Sequence, residues 1–205
     1  MILNSLGMAY LESGDVDAAV DHHQRALARL IETGDEHGVA AARSSLAWAR
    51  LRQDQPASAV TDLNMALDIY RGAGRTRNVA IALRGLAFAL AALGRFDEAL
   101  AHAEEAAILA QLPLDRTMAA NCLAWTHFGA GHLRQARQHY QSAAELAQEC
   151  SGYEWARATT GLGNVAARVG DRPAAERYWS QADVHPGTLD PAVLGEARTR
   201  TSLQA

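Results

Sequence analysis

The sequence contains no lysine, and all of its 19 basic side chains are arginines. We attribute this absence to the codon bias of a GC-rich genome. The 23 acidic residues give a formal net charge of −4. This balance argues against a nucleic-acid-binding surface, because such surfaces cluster positive charge against phosphates. It leaves room for a local basic patch.

Two cysteines, Cys122 and Cys150, are too few for a disulfide framework and fit a reducing compartment. No apolar run approaches the roughly 18–20 residues of a membrane-spanning helix. The N-terminal residues lack the basic leader of a signal peptide. We therefore expect a cytoplasmic protein without membrane contact. Because the sequence runs directly from its first residues into an amphipathic helix, we also expect that the chain is a fragment of a longer protein.

Aromatic residues make up 6% of the chain, and alanine is the dominant residue within a hydrophobic content of 49%. Alanine has the highest helix propensity and allows helices to approach closely. This composition predicts tightly packed helices in a foldable chain.

An internal repeat is the strongest signal in the sequence. Five leucines, each followed by a glycine or alanine, are spaced 40, 40, 37 and 39 residues apart. The leucines are Leu6, Leu46, Leu86, Leu123 and Leu162. Eight residues after them stand Gly14, Asp54, Gly94, Gly131 and Gly170. Alanines follow at two further offsets: Ala19, Ala59, Ala99, Ala136 and Ala175, then Ala26, Ala66, Ala106, Ala143 and Ala182. So many matches at fixed offsets predict a helical hairpin repeated five times.

Each repeated position has a physical reason. The glycine ends a first helix, helix A, because it adopts left-handed backbone conformations readily. Asp15 and Asp171 are expected to cap a second helix, helix B. The alanines are expected where neighbouring helices cross most closely.

The repeat resembles the tetratricopeptide repeat (TPR) family, whose motif is nearly complete in Leu6, Gly7, Tyr10, Gly14, Ala19, His23 and Ala26. The resemblance implies an all-α fold, an α-α superhelix of five helix-turn-helix repeats. The repeats would cover about residues 1–34, 35–74, 75–112, 113–151 and 152–184 of a single domain over 1–205. Asp190-Pro191 predicts a final capping helix over about 190–203.

The units are three to six residues longer than the 34-residue standard of the family. In length and junction style they are similar to the TPR regions of large bacterial signalling ATPases of the STAND class, including SARP and LuxR-type transcriptional activators. This resemblance implies a sensor or interaction region of a bacterial regulator. No DNA-binding or nucleotide-binding domain is visible in the sequence itself.

In TPR proteins, helix A turns fixed positions toward a concave groove: two residues before the leading leucine, and two, five and six after it. The resemblance therefore implies binding residues drawn from these positions. They are Asn4, Met8, Ser44, Trp48, Arg52, Arg84, Phe88, Asn121, Trp125, Phe128, Thr160 and Asn164. Trp48, Phe88 and Trp125 would form an aromatic row along this groove. The alternative interpretation is that these rings fill gaps in an alanine-rich stack.

Histidine is frequent, with eight residues, but His22, His102 and His139 share one repeat position. Equivalent positions lie at least a helix spacing of about 8–10 Å apart, too far for one metal ion. We therefore expect histidines on solvated faces, Cys122 in the core, and no metal, cofactor or catalytic site.

Partner recognition is thus the expected function, with a protein, a peptide or another domain of the same chain in the groove. Two other functions stay open: a free-standing adaptor or assembly scaffold, and a receptor or enzyme that encloses a small ligand. A homodimer through an uncapped first repeat is also an expectation.

Overall fold

In a computed structural model of the chain, the described residues are 2–183, without the side chains of residues 2–5, Met8 and Glu12. They form helices and no strand. The helices are α1 (Ile2–Ser13), α2 (Val16–Glu32), α3 (Glu36–Arg52), α4 (Pro56–Gly72), α5 (Thr76–Ala92), α6 (Phe96–Leu109), α7 (Pro113–Gly129), α8 (Leu133–Ala147), α9 (Gly152–Arg168) and α10 (Arg172–Asp183). Odd-numbered helices are helix A and even-numbered ones helix B of five hairpins. The expected all-α repeat architecture is confirmed for these residues. The capping helix expected over 190–203 lies outside them.

The described part of the chain divides into two compact units, with the boundary between residues 109 and 110. In the first unit, α1–α6 form three hairpins, and α3 and α5 each pack against the helix B that precedes them. Neighbouring A helices also touch, α1 with α3 and α3 with α5. In the second unit, α7–α10 form two hairpins, with α9 in contact with both α8 and α7. None of the described helices has the length and hydropathy to cross a bilayer.

The repeated turn positions have the backbone conformation that the sequence predicts. All five have a positive φ, from 59° at Asp54 to 86° at Gly14. Helix B then begins with the expected side-chain caps. The Asp15 carboxylate accepts a hydrogen bond from the Ala18 backbone N–H at 3.1 Å, and Asp171 accepts one from Ala174 at 3.0 Å. Each cap satisfies a donor that the first helical turn leaves unpaired.

The repeated alanines form the contact surfaces of the helix B layer. Their exposed fractions are at most 4%: Ala19, Ala26, Ala59, Ala66, Ala99, Ala106, Ala136, Ala143, Ala175 and Ala182. A larger side chain at these positions would force neighbouring helices apart. Periodicity in the sequence therefore identified the core contacts of helix B correctly.

Large rings of helix B lie against glycines of helix A. A Cβ atom added to Gly161 would lie 2.2 Å from Cζ of Tyr140, and one added to Gly163 would lie 2.4 Å from Cδ1 of Trp179. Real Cβ atoms do not approach other atoms so closely. Tyr140 reaches the next helix A, whereas Trp179 reaches the helix A of its own hairpin. Glycine thus provides the space in which each buried ring packs.

His23 occupies the corresponding slot in the first hairpin, against Gly7. Its side chain is fully buried, so the expectation of a solvated face was wrong for this histidine. The space beside Gly7 explains the burial, since an added Cβ there would lie 2.5 Å from the His23 ring. Burial, aided by the charge of neighbouring His22, lowers the pKa of His23 from 6.5 to about 4. The fold therefore favours the neutral imidazole.

The low pKa of His23 predicts an acid-dependent loss of stability. Because the folded-state pKa lies below the unfolded value of 6.5, the stabilisation is complete above pH 6.5 and is lost as the pH falls toward 4. The loss attributable to His23 should reach about 3 kcal/mol, at about 1.4 kcal/mol per pKa unit. Urea unfolding of wild type and His23→Phe between these pH values measures it. A pH dependence that persists unchanged in His23→Phe would contradict this assignment.

Candidate functional site

Trp48 and Phe88 form an aromatic pair on the helix A layer of the first unit. They occupy the same repeat position in α3 and α5, two residues after the leading leucine. Their ring centroids lie 5.6 Å apart with the planes tilted by 59°. Both side chains are half-buried. The contact between α3 and α5 thus places two large, partly exposed rings side by side.

Polar candidates beside the aromatic pair differ in accessibility. Arg52 is partly exposed, and its guanidinium donates a hydrogen bond to the Leu11 carbonyl at the end of α1. Ser44 and Arg84 are buried, each 8% exposed. The Ser44 hydroxyl has no hydrogen-bond partner among the described residues. Arg52 therefore braces two A helices, and the accessible part of this surface is mainly aromatic.

An ion-pair network joins α3 to α4. The buried Asp62 carboxylate receives Arg43 at 2.9 Å and also pairs with Arg50. Both arginines are on α3 and Asp62 is on α4, so the network links the two helices. The same helix, α3, carries Trp48, so these ion pairs attach the helix of Trp48 to its neighbour.

Trp125 occupies the matching repeat position in α7 of the second unit. It is half-buried and packs against a core that includes Phe128, Tyr140 and Leu162. Phe128 is buried, and the Arg168 guanidinium lies 5.5 Å from the centroid of its ring. Trp125 therefore contacts the core with part of its side chain and leaves another part accessible to solvent.

Asn121, Glu154 and Arg157 form a buried triad between α7 and α9. The Asn121 amide donates to the Glu154 carboxylate at 2.7 Å and to its backbone carbonyl at 3.0 Å. Arg157 donates to both carboxylate oxygens, at 3.3 and 3.1 Å. The three residues are at most 3% exposed. Because both amide donors point to Glu154, the Asn121 oxygen is left as a buried acceptor without a partner in the described residues.

Of the remaining predicted binding residues, two are buried, and the side chains of two others are outside the part of the chain that the structure describes. The Asn164 side-chain oxygen accepts a hydrogen bond from the Trp179 indole at 3.1 Å, and Thr160 is 7% exposed. The side chains of Asn4 and Met8 lie outside the described set. The structure thus brings together Trp48 with Phe88, Asn121 with Glu154, and Asn164 with Trp179.

Three arginines lie on the surface around the turn between α4 and α5. Arg71, Arg75 and Arg77 are exposed. Arg71 pairs with Glu105 of α6 at 2.7 Å, and both side chains are almost half exposed. Pairs with such exposure contribute little to stability.

Two groups of residues were missed by sequence reasoning. Glu154 and Arg157 had a detectable signal, an acid and a base three residues apart on one helix, which favours a pair. His127 and His132 stand on either side of the Gly131 turn and approach each other closely. The predicted turn at Gly131 was the signal for their proximity, because a tight turn brings the residues on its two sides together.

Comparisons with known proteins agree with this architecture. One family model described as tetratricopeptide repeat matches residues 1–72, and a second with the same description matches residues 80–105, 117–142 and 156–180. Together the two models match most of the chain. A search of curated proteins finds no significant match.

Several solved structures share the fold. The Rap protein complexed with competence and sporulation factor is 18% identical, with a TM-score of 0.82 over 98% of this chain and 56% of the Rap chain. NprR in complex with its cognate peptide NprX is 16% identical, with a TM-score of 0.74 over 98% of this chain and 60% of that chain. BtubC (BKLC) from P. vanneervenii is 20% identical, with a TM-score of 0.71 over 99% and 80% of the chains. The chain therefore spans little more than half the length of the first of these structures.

The family models add sequence evidence to the hairpins, the positive-φ turns and the buried alanines. The chain belongs to the tetratricopeptide repeat family.

Proposed function

We propose that the chain binds an extended peptide segment of a partner protein along its helix A layer, without catalysing a reaction. The observation that carries this proposal is the aromatic pair. Trp48 and Phe88 come from equivalent positions of adjacent repeats, lie 5.6 Å apart and keep part of each ring exposed. Large aromatic side chains dominate the energetics of protein interfaces.

The framework around this pair supports recognition by a preformed surface. Asp62 ties α3 to α4 through two arginines, and Arg52 ties α3 to α1. Rings held on braced helices lose little conformational freedom when a partner binds, which reduces the entropic cost of association. Trp125 packs on one side against the core of the second unit. Its ring should therefore also lose little conformational freedom on binding.

One structural neighbour supports a peptide as the partner, and a second was solved with a bound factor. NprR was solved with its cognate peptide, and Rap was solved with competence and sporulation factor. Their sequence identity to this chain is below 20%, so they establish the fold and motivate the choice of ligand class.

We further propose that the chain is the sensor or interaction region of a bacterial transcriptional regulator. The long repeat units favour this context, because they resemble those of such regulators in length and junction style. In this setting the partner could equally be another domain of the full-length chain. Binding would change the relative stability of conformations that inhibit or release the attached domains.

Phe88→Ala and Trp48→Ala are expected to weaken peptide binding by about tenfold or more each, which corresponds to at least 1.4 kcal/mol of lost contact energy. The probe is a peptide selected against the whole 205-residue chain from a random display library. Its dissociation constant is measured by fluorescence anisotropy, and circular dichroism reports helicity.

Phe96→Ala is the matched control, because Phe96 is a partly exposed phenylalanine of the same unit that belongs to helix B. It should leave the affinity unchanged. If Phe96→Ala weakens binding as much as Phe88→Ala, the helix A layer is not the binding face. Loss of helicity in Trp48→Ala would instead support the gap-filling interpretation.

A further inference from the structure

The solvent-facing side of α8 carries arginines and glutamines. We call it the α8 surface, and its exposed residues are Arg134, Arg137, Gln138 and Gln141. They recur at intervals of three and four residues, so they share one face of the helix. The other side of α8 contributes Tyr140 to the core of the second unit. The α8 surface is therefore held on a packed helix.

The arginines of the α8 surface have no acidic partner. Residues 116–144 contain three arginines and three histidines but no aspartate or glutamate, although the chain as a whole has a net charge of −4. Within residues 2–183, no carboxylate forms an ion pair with Arg134 or Arg137. Their guanidinium groups are thus neutralised neither locally nor across a helix contact.

Exposed arginines on helix B of the first unit differ in this respect. Arg25 pairs with Asp21 on α2 at 3.3 Å, and Arg71 on α4 pairs with Glu105 on α6 at 2.7 Å. The same layer of the fold can therefore supply carboxylates to exposed arginines. On the α8 surface it leaves the guanidinium donors accessible to another molecule.

Local stability does not account for Arg134. It is the second residue of α8, whose first turn contains no acidic residue. A cation near the start of a helix is repelled by the helix dipole. The first turn of α6, in contrast, carries Asp97 and Glu98. Residues that oppose a local preference are expected at functional positions, so Arg134 fits a role in binding better than a role in folding.

We propose that the α8 surface binds a short acidic segment of a partner polypeptide. Guanidinium groups pair with carboxylates through two parallel hydrogen bonds, and glutamine amides can donate to backbone carbonyls. The helix rises about 10 Å from Arg134 to Gln141, which matches roughly three or four residues of an extended segment. The surface belongs to the helix B layer, so this inference does not depend on the binding proposed for the helix A layer.

A nucleic acid fits the α8 surface less well than an acidic polypeptide does. Exposed Glu145 and Glu149 follow near the end of α8. A DNA duplex carries a negative charge about every 1.7 Å, so it would extend past the two arginines onto these carboxylates. A short acidic segment can end before it reaches them.

Binding of a fluorescein-labelled hexaglutamate peptide to the whole 205-residue chain tests the proposal. Fluorescence anisotropy should show saturable binding at low ionic strength that weakens as salt is added. Arg134→Gln/Arg137→Gln should weaken it about tenfold, because two charge contacts are lost. Glutamine and arginine have similar helix propensities. Circular dichroism should therefore show unchanged helicity and a Tm that is equal or higher, since a cation leaves the start of α8.

Arg25→Gln/Arg29→Gln is the matched control, because it removes two exposed arginines from helix B of the other unit. Its affinity for hexaglutamate should stay close to that of the wild type. Equal losses in the two double variants would overturn the proposal, as would a wild-type chain that binds hexaglutamine as well as hexaglutamate or shows no saturable binding. A single-stranded oligonucleotide of the same charge that binds more tightly than hexaglutamate would also overturn it, because the surface would then prefer phosphate.

Discussion

Glu154→Ala is expected to lower the free energy of unfolding by about 3–5 kcal/mol, because it leaves a buried guanidinium without its carboxylate. Glu154 is 2% exposed and Arg157 3% exposed, so water cannot replace the lost partner. The substitution also removes the 2.7 Å hydrogen bond from Asn121, which links α7 to α9. Urea unfolding monitored by circular dichroism measures the loss.

The exposed pair Arg95–Glu98 provides the matched control. It has the same spacing of three residues, and its side chains are 48% and 56% exposed. Glu98→Ala should cost far less than Glu154→Ala, because solvent screens an exposed pair. The double variant Glu154→Leu/Arg157→Met should recover a large part of the loss, because apolar replacement removes both buried charges. Equal costs for Glu154→Ala and Glu98→Ala would contradict the role assigned to burial.

Gly161→Leu is expected to destabilise the chain by about 3 kcal/mol or more, at the upper end of the range for overpacked cores. A Cβ atom alone would lie 2.2 Å from the buried Tyr140 ring, so the ring or the helix must move. The ring is 1% exposed and belongs to the core of the second unit. Thermal or urea unfolding reports the effect.

Gly72→Leu is the matched control for Gly161→Leu. Gly72 is also helical, but an added Cβ there meets no atom within 4 Å. This control should be neutral, or stabilising by up to about 1 kcal/mol through higher helix propensity. A second test combines Gly161→Leu with Tyr140→Ala, which should be less destabilised than the two single losses added together. Strict additivity would show that the two residues do not share this space.

The helical framework could be predicted from the sequence because it depends on repeated local chemistry. The positive φ of Gly14 and Gly170, the cap of Asp15 and the burial of Ala19 each follow from a residue type at a fixed offset. Because the same offsets occur five times, one exception does not change the assignment of the repeat. Asp54, which replaces glycine at a turn position, is such an exception.

The roles of helix A side chains were harder to predict. Position alone does not decide whether a residue meets a neighbouring helix or solvent. Asn121 and Ser44 share a repeat position, yet Asn121 binds Glu154 and the Ser44 hydroxyl is without a partner in the described part of the chain. Trp48 contacts Phe88, whereas Trp125 packs on the second unit's core. These outcomes depend on the partners that tertiary packing supplies.

His23 shows the same limit in the core. Its identity suggested solvent exposure, but the absent side chain at Gly7 created the space that buries it. The relation between Gly7 and His23 spans two helices and cannot be obtained from the periodicity of either one.

Tryptophan indole NMR tests the proposed binding face most directly. The chain has four tryptophans, and therefore four indole N–H signals. When a selected peptide is titrated, the signal of Trp48 should shift most. The signal of Trp179, which is buried on helix B and bonded to Asn164, should stay in place. A shift at Trp179 with no change at Trp48 would contradict binding on the helix A surface.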